Sequence, residues 1–248
     1  MTQKYTILFD LDGTLVDTAP DLMKAHNHVM KKYGYKTKST EEIRNLVGKG
    51  ASVLIGRSLW GSAKEEFGKI EDKKVKAKMV KEFINFYGNN ILNESTLING
   101  VEDFLKWCNE KKISLAVCTN KQEHLAVDLL KKIGIYNYFE YVAGSNTFDY
   151  CKPDPRHITN IIEILNGDIK KSLMIGDSET DANAAKAASI PMILLENGYT
   201  ERNTNAIYHN HLIKDFLTSP PKISITLVRC LGSGLQYSKV LCPATYSK

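Results

Sequence analysis

YTILFDLDGT, residues 5–14, runs from apolar and β-branched side chains into two aspartates, a glycine and a threonine. A short apolar run of this kind, ending in a polar turn, is the pattern of a strand buried on both faces of a parallel sheet. Asp10 and Asp12 then stand two residues apart at its carboxyl end, Gly13 permits a tight turn, and Thr14 follows. In open α/β sheets ligands bind at that end of the strands.

Four more runs of the same kind follow at residues 113–120, 138–144, 171–177 and 191–198. Between them lie segments with helical spacing: Val101, Phe104, Leu105 and Cys108; Leu125, Leu129 and Ile133 before Gly134; Ile158, Ile161, Ile162 and Leu165. Strand alternating with helix predicts an α/β fold with a doubly wound parallel sheet. About a hundred residues separate the first strand from the second, far more than an ordinary crossover needs. An inserted helical domain over residues 16–92 accounts for them. Asp17 or Thr18 can cap its first helix, with Pro20 in the first turn and Leu22, Ala25, Val29, Met30 and Tyr33 on one face. Ser39 with Glu42 predicts a capping box for a second helix, and Val75, Met79, Phe83 and Phe86 mark a longer one. The core domain is then residues 1–15 and 93–222.

A chain of 248 residues, 43% hydrophobic and 25% charged, buries a full core, and most of it is not expected to be disordered. The amino terminus does not read as a signal peptide, and acidic, basic or amide residues break every apolar stretch before the roughly 20 residues that span a bilayer. A cytoplasmic protein without a membrane partner is expected, as monomer or homodimer. Five cysteines without paired spacing fit neither a disulfide framework nor a zinc site. The net charge of +5 owes three charges to Arg229, Lys239 and Lys248 in an acid-free tail, and the remaining +2 is too mild for a nucleic-acid partner.

The decisive feature is what the other strand ends supply. Thr119-Asn120 closes the second run, Lys152-Pro153-Asp154-Pro155 precedes a helix, and Gly176-Asp177-Ser178-Glu179-Thr180-Asp181 closes a later run. Each has a plainer reading: Thr119-Asn120 as a helix cap, Lys152 as a solvated side chain, Asp177 to Asp181 as charges complementing a helix dipole. Together they gather three acids, a lysine, a hydroxyl and an amide on one sheet edge, a site for a phosphate dianion and a hard cation.

These four segments resemble the signature motifs of the haloacid-dehalogenase (HAD) superfamily of phosphatases, a likeness that extends over residues 4–218 and implies a HAD-like Rossmannoid core under a helical cap. The resemblance implies Asp10 as nucleophile, Asp12 as general acid and base, and Mg²⁺ held by Asp10, the Asp12 backbone carbonyl and Asp177. Asp181 is either a further ligand or an orienting neighbour. Lys152 would bridge Asp10 and the transferring oxygens, with Thr119 and the Asn120 amide donating to the phosphoryl group. The inserted helices resemble the cap of one branch of this superfamily. The turn Gly48-Lys49-Gly50 looks like the cap loop of phosphoglycolate phosphatases, where Lys49 would pair with a substrate carboxylate; it reads equally as a flexible turn, and Arg57 is a weaker candidate.

A small phosphate ester is therefore the expected substrate, 2-phosphoglycolate first. Sugar phosphates, pyrophosphate, nucleoside monophosphates and a β-phosphoglucomutase-like transfer are alternatives on the same residues. The second aspartate argues against a dehalogenase, and a receiver-like signalling module would have no cap and be about half as long. A catalytically inactive binding protein is disfavoured because every reactive group is present. His209 and His211, His26 and His28, and Cys118 and Cys151 read as structural residues rather than ligands or nucleophiles. Residues 223–248 form an atypical tail, read as a disordered appendage, an extra strand through 225–228 or the product of an altered reading frame, and its removal after Lys222 should leave activity intact.

Overall fold

The structure is a computed structural model that describes residues 5–61, 70–200 and 202–217. Strand β1 (Thr6–Phe9) leads into a short antiparallel ribbon of β2 (Val16–Asp17) with β3 (Thr96–Leu97). The chain then supplies β4 (Ser114–Cys118), β5 (Tyr141–Ala143), β6 (Ser172–Gly176), β7 (Met192–Leu195) and β8 (His211–Ile213). Apart from the ribbon these strands form one parallel sheet in the order β5-β4-β1-β6-β7-β8.

Alternation along each strand divides the core in two, because successive side chains leave a strand on opposite faces. Ile7, Phe9, Leu115, Val117, Leu173 and Ile175 pack on one face, and Leu8, Ala116, Cys118 and Met174 on the other. Helices α5 (Val101–Glu110) and α6 (Glu123–Lys132) cover the first face, burying Val101, Phe104, Leu105 and Cys108, and Leu125 and Leu129, at the expected spacing. Helices α7 (Arg156–Ile164) and α8 (Glu179–Ala187) cover the second.

Between β2 and β3 lie α1 (Ala19–Lys32), α2 (Thr40–Arg44), α3 (Ala51–Trp60) and α4 (Ile70–Asn89). Leu22, Ala25, Val29 and Met30 of α1 meet Ile55, Met79 and Phe83 in an apolar core continuous with the first sheet face. The capping box of Ser39 and Glu42 forms as expected. Asp21, buried in the first turn of α1, accepts from the backbone N–H groups of Asn93, Glu94 and Ser95, tying the outgoing chain to the returning one.

Several expectations change. Thr18 stands at the N-cap of α1 but its hydroxyl makes no cap bond; it donates to Asp12 at 2.7 Å instead. The run at 138–144 is a strand only over Tyr141–Ala143, with a 3₁₀ turn at Tyr136–Tyr138 before it. The edge strand β8, which begins at His211, and the ribbon of β2 and β3 are too short to show a period in sequence. The tail at 223–248 lies outside the described residues.

Candidate active site

The order of strands places the site. From β1 the chain adds β4 and β5 on one side and β6, β7 and β8 on the other, so the loops after β1, β4 and β6 diverge and leave a crevice at the carboxyl edge. The N–H of Asp10 donates to the carbonyl of Ile175 at 2.9 Å, which extends the β1–β6 pairing to the first acid.

Asp10, Asp177 and Asp181 converge there, with one carboxylate oxygen of each within 4.8 Å of the others. All three are buried, and Lys152 from the loop before α7 lies among them. Its Nζ is 2.8 Å from Asp10 Oδ1 and donates to Asp181 Oδ1 at 2.5 Å. Asp10 Oδ1 is nevertheless buried without a well-aligned hydrogen-bond donor, because the ammonium contact is off the bonding direction. A buried carboxylate oxygen in that condition, beside two further hard oxygen donors, fits a small divalent cation.

Burial pushes the Asp10 carboxyl up to about 6 against the opposing pull of Lys152, with Asp181 and Asp12 adding to the rise. Asp177 is driven well above the usual carboxylate range by burial and then by Asp10 and Asp181. For Lys152 burial acts downward, but Asp10 and Asp181 outweigh it and hold the ammonium strongly charged. A protein that buries three carboxylates against one lysine has left a charge deficit that a cation would fill.

Local structure explains how each acid is aimed. Asp177 Oδ1 accepts from Thr14 Oγ1 at 3.2 Å, and Oδ2 from the Tyr199 N–H at 2.6 Å. Gly13 has φ of 82°, and a Cβ there would stand 2.2 Å from Asp177 Oδ2, so only glycine makes this turn. Asp181 completes the capping box of α8, its Oδ2 accepting from the Ser178 hydroxyl at 2.7 Å and the Ser178 N–H at 3.1 Å. With Oδ2 held by its own helix and Oδ1 by Lys152, Asp181 orients the lysine as well as completing the acidic cluster. The helix-terminus reading of this segment is realised, and the same carboxylate also belongs to the buried acidic cluster.

Asp12 sits one step above this floor. Its Oδ1 accepts from Thr18 Oγ1 at 2.7 Å and from Lys121 Nζ at 2.8 Å, and its Oδ2 lies 3.1 Å from the same nitrogen. Thr119 is buried at the end of β4, and its Oγ1 accepts from the Lys121 N–H at 3.2 Å. The Asn120 side-chain amide donates to the Lys152 carbonyl at 2.9 Å and to the Gly48 carbonyl at 3.2 Å. Both amide hydrogens are thereby engaged, so the Asn120 side chain bridges core and cap, and its backbone N–H is the group left to meet a bound anion.

The cap side is built differently. Gly48, Lys49 and Gly50 line a cavity of about 270 Å³ together with Asp10, Asp12 and Thr119. Gly48 and Gly50 have φ of 97° and 85°, which lets the loop turn down over the sheet edge. Lys49 is exposed and has no ion-pair partner among the described residues. Arg57 reaches the Asn45 carbonyl at 3.4 Å and lines a separate cleft with Glu179 and Arg202, away from Asp10.

Sequence reasoning did not anticipate several contacts. Lys121 and Tyr199 belong to the stretches Thr119-Asn120-Lys121 and Asn197-Gly198-Tyr199, which resemble the phosphoglycolate phosphatase branch without assigning either residue a role, and Tyr87 is one more aromatic on a helix of the insertion. Tyr199 joins core to hinge: its N–H serves Asp177, its hydroxyl donates to Asp17 at 2.5 Å, and Arg44 of the cap reaches the other Asp17 oxygen at 2.7 Å. Burial would raise Asp17, but Arg44 and Tyr199 outweigh it and hold its carboxyl below the usual range. The remaining candidates behave as structural residues. Cys118 is buried, which pushes its thiol up to about 12, and His209 Nδ1 bonds the Ile207 carbonyl.

Comparison with known proteins gives a consistent result. Residues 7–195 match the family described as haloacid dehalogenase-like hydrolase. A phosphoglycolate phosphatase of Mesorhizobium japonicum is 34% identical over 226 residues, covering 91% of this chain and 97% of that one. One from Agrobacterium fabrum is 38% identical over 224 residues, covering 89% and 93%. Among solved structures, a predicted phosphoglycolate phosphatase from Haemophilus somnus 129pt superposes with a TM-score of 0.81 at 29% identity, covering 91% of this chain and 99% of that one. A β-phosphoglucomutase from Clostridium difficile, at 21% identity and a TM-score of 0.73, covers 91% and 97% and shares the fold.

Proposed function

The chain belongs to the haloacid dehalogenase-like hydrolases, and from that premise we propose that it is a phosphoric monoester hydrolase converting 2-phosphoglycolate to glycolate and orthophosphate through a phosphorylated Asp10. The observation that carries this reading is the buried cluster of Asp10, Asp177 and Asp181 around Lys152, with Asp10 lining a cavity that Gly48, Lys49 and Gly50 also line. The substrate is supported by relatives of that name that match along about nine-tenths of the chain.

The chain's own groups supply the following chemistry. An Asp10 carboxylate oxygen attacks phosphorus in line, forming the Asp10 O–P bond as the bond from phosphorus to the ester oxygen breaks. Asp12 gives that leaving oxygen its proton and glycolate departs. Asp12, now a carboxylate, takes a proton from water as the water attacks phosphorus, which breaks the acyl-phosphate bond and returns Asp10. Lys152, fixed by Asp181, stands over the transferring oxygens as a fixed positive charge, and the Thr119 hydroxyl and Asn120 backbone N–H donate to them. Asp10, the Asp12 backbone carbonyl and Asp177 would hold Mg²⁺, with Asp181 in the adjoining position; a bound ion supplies charge neutralisation between carboxylate and phosphate.

The test is a steady-state comparison of 2-phosphoglycolate, hexose phosphates and p-nitrophenyl phosphate, with Mg²⁺ and after chelation, beside Asp10→Asn. The expected result is a preference for 2-phosphoglycolate, loss of turnover on chelation, and a fall on the order of 10⁴–10⁶ in kcat for the variant. A preference for hexose phosphates would overturn the substrate, and an active Asp10→Asn would overturn the mechanism.

A further inference from the structure

Lys152 is accounted for by Asp10 and Asp181, but a second buried lysine reaches the same cavity. Lys121 follows Asn120 at the end of β4, its side chain is 5% exposed, and it lines the cavity beside Asp12, Tyr87 and Gly48. An ammonium so deeply removed from water needs acceptors for all three of its hydrogens. Asp12 provides two, at 2.8 and 3.1 Å. The Tyr87 ring backs the ammonium at 4.4 Å from its centroid, a favourable cation–π contact that offers no hydrogen-bond acceptor of lone-pair type. The third N–H has no acceptor among the described residues.

We infer that Lys121 is the specificity-determining residue of the site: its remaining N–H, beside Asp12 and against Tyr87, pairs with a carboxylate on the leaving group of the substrate. This rests on the reading of Asp12 as the group that protonates the leaving oxygen. Whatever is bonded to that oxygen must pass close to Asp12, and Lys121 touches Asp12. In 2-phosphoglycolate the carboxyl carbon is two bonds from the ester oxygen, so a substrate whose ester oxygen meets Asp12 brings its carboxylate to the neighbouring ammonium.

The rest of the cavity narrows the choice. Leu22, Leu54, Phe83 and Leu125 give it apolar walls, and among the described residues Lys121 and Lys49 are the two cations on its lining. Lys49 is the other cation on the lining, but it is exposed on a loop, where an ion pair gains little, whereas a desolvated ammonium with an unused donor discriminates strongly against a ligand that lacks the acceptor. The role expected for Lys49 from sequence passes to Lys121.

The experiment measures kcat/KM for 2-phosphoglycolate and for ethyl phosphate, which carries a methyl group where the other has its carboxylate. The Mg²⁺-loaded wild type is compared with Lys121→Met, Lys121→Gln and Lys49→Met. In the Lys121 variants the ratio of the two kcat/KM values should fall by roughly 10²-fold or more, mainly through KM for 2-phosphoglycolate. Lys121→Gln fills the same space and can still donate to Asp12, which keeps the result readable if the Met variant does not fold. Equal losses on both substrates would mean that Lys121 acts only by holding Asp12, and would overturn the inference. So would a collapse of the ratio in Lys49→Met that the Lys121 variants do not reproduce. A wild type that does not distinguish the two substrates would instead count against 2-phosphoglycolate as the substrate.

Discussion

The sheet edge and the cap loop face each other across one cavity and are held in opposite ways. At the sheet edge the working side chains are buried and bonded to one another: Lys152 to Asp181, Asp177 to Thr14 and Tyr199, Asp12 to Thr18 and Lys121. In the cap loop, one hydrogen bond among the described residues ties residues 48–50 to the core, from Asn120 to the Gly48 carbonyl, and Lys49 is exposed. The difference follows from what each must do. Groups that act on a developing charge gain most when their positions are fixed beforehand, whereas a loop that admits substrate must move, and moving elements are drawn from the weakly bonded end of the structure.

If this contrast is real, substitutions on the two sides should differ in both stability and rate. The largest effect is expected for Lys152→Met, which leaves Asp10 and Asp181 buried without their shared counter-charge. Breaking a buried pair of this kind costs about 3–5 kcal/mol, readable as a lower denaturant midpoint, and kcat should fall by 10³ or more. A variant that stays folded and active would mean that the sheet edge is not preorganised around this lysine.

Gly13→Ala should come next. The added Cβ has to displace Asp177 or twist a turn whose φ is 82°, so a destabilisation of roughly 3 kcal/mol is expected, with a higher Mg²⁺ requirement for activity. Thermal melts and a Mg²⁺ titration measure the two separately.

A pH series probes the support behind Lys152. His157 is buried beneath it, and its Nδ1 accepts from the Lys152 N–H at 3.2 Å. Burial, and then the Lys152 charge, lower the imidazole from 6.5 to about 4. The unfolded chain therefore binds a proton that the native protein refuses in this window. This contribution is fully present above about pH 6.5 and is lost as pH falls toward 4, about 3 kcal/mol in all. Denaturant unfolding across that range should show the slope, and His157→Gln should flatten it.

The smallest effect is expected on the cap side. Arg44→Met removes a partly exposed ion pair with Asp17, so stability should change by less than about 1 kcal/mol. A tenfold or greater loss of kcat at unchanged stability would show that this contact controls cap position, and would blur the contrast between the two regions.

The parts that could be read from sequence share a property: each is specified within a few residues. Asp10 and Asp12 follow a buried strand, Asp177 and Asp181 follow another, Ser39 and Glu42 form their box across three residues, and α5 shows its face at the expected spacing. Where the local reading failed, a distant partner had taken the group. The Thr18 hydroxyl was available to cap α1 and went to Asp12, the Asn120 amide went to Gly48 across the cap boundary, and β8 exists because β7 offers it an edge.

The sequence by itself determined the alternation of strands and helices and the acids and lysine at the strand ends, because periodicity and turn chemistry are local. Only the tertiary structure decided which cation faces which carboxylate. Lys121 meets Asp12 across 109 residues and Tyr199 meets Asp17 across 182. Contacts of that span depend on how the sheet is ordered and where the cap folds back, and no short-range pattern in the chain encodes them.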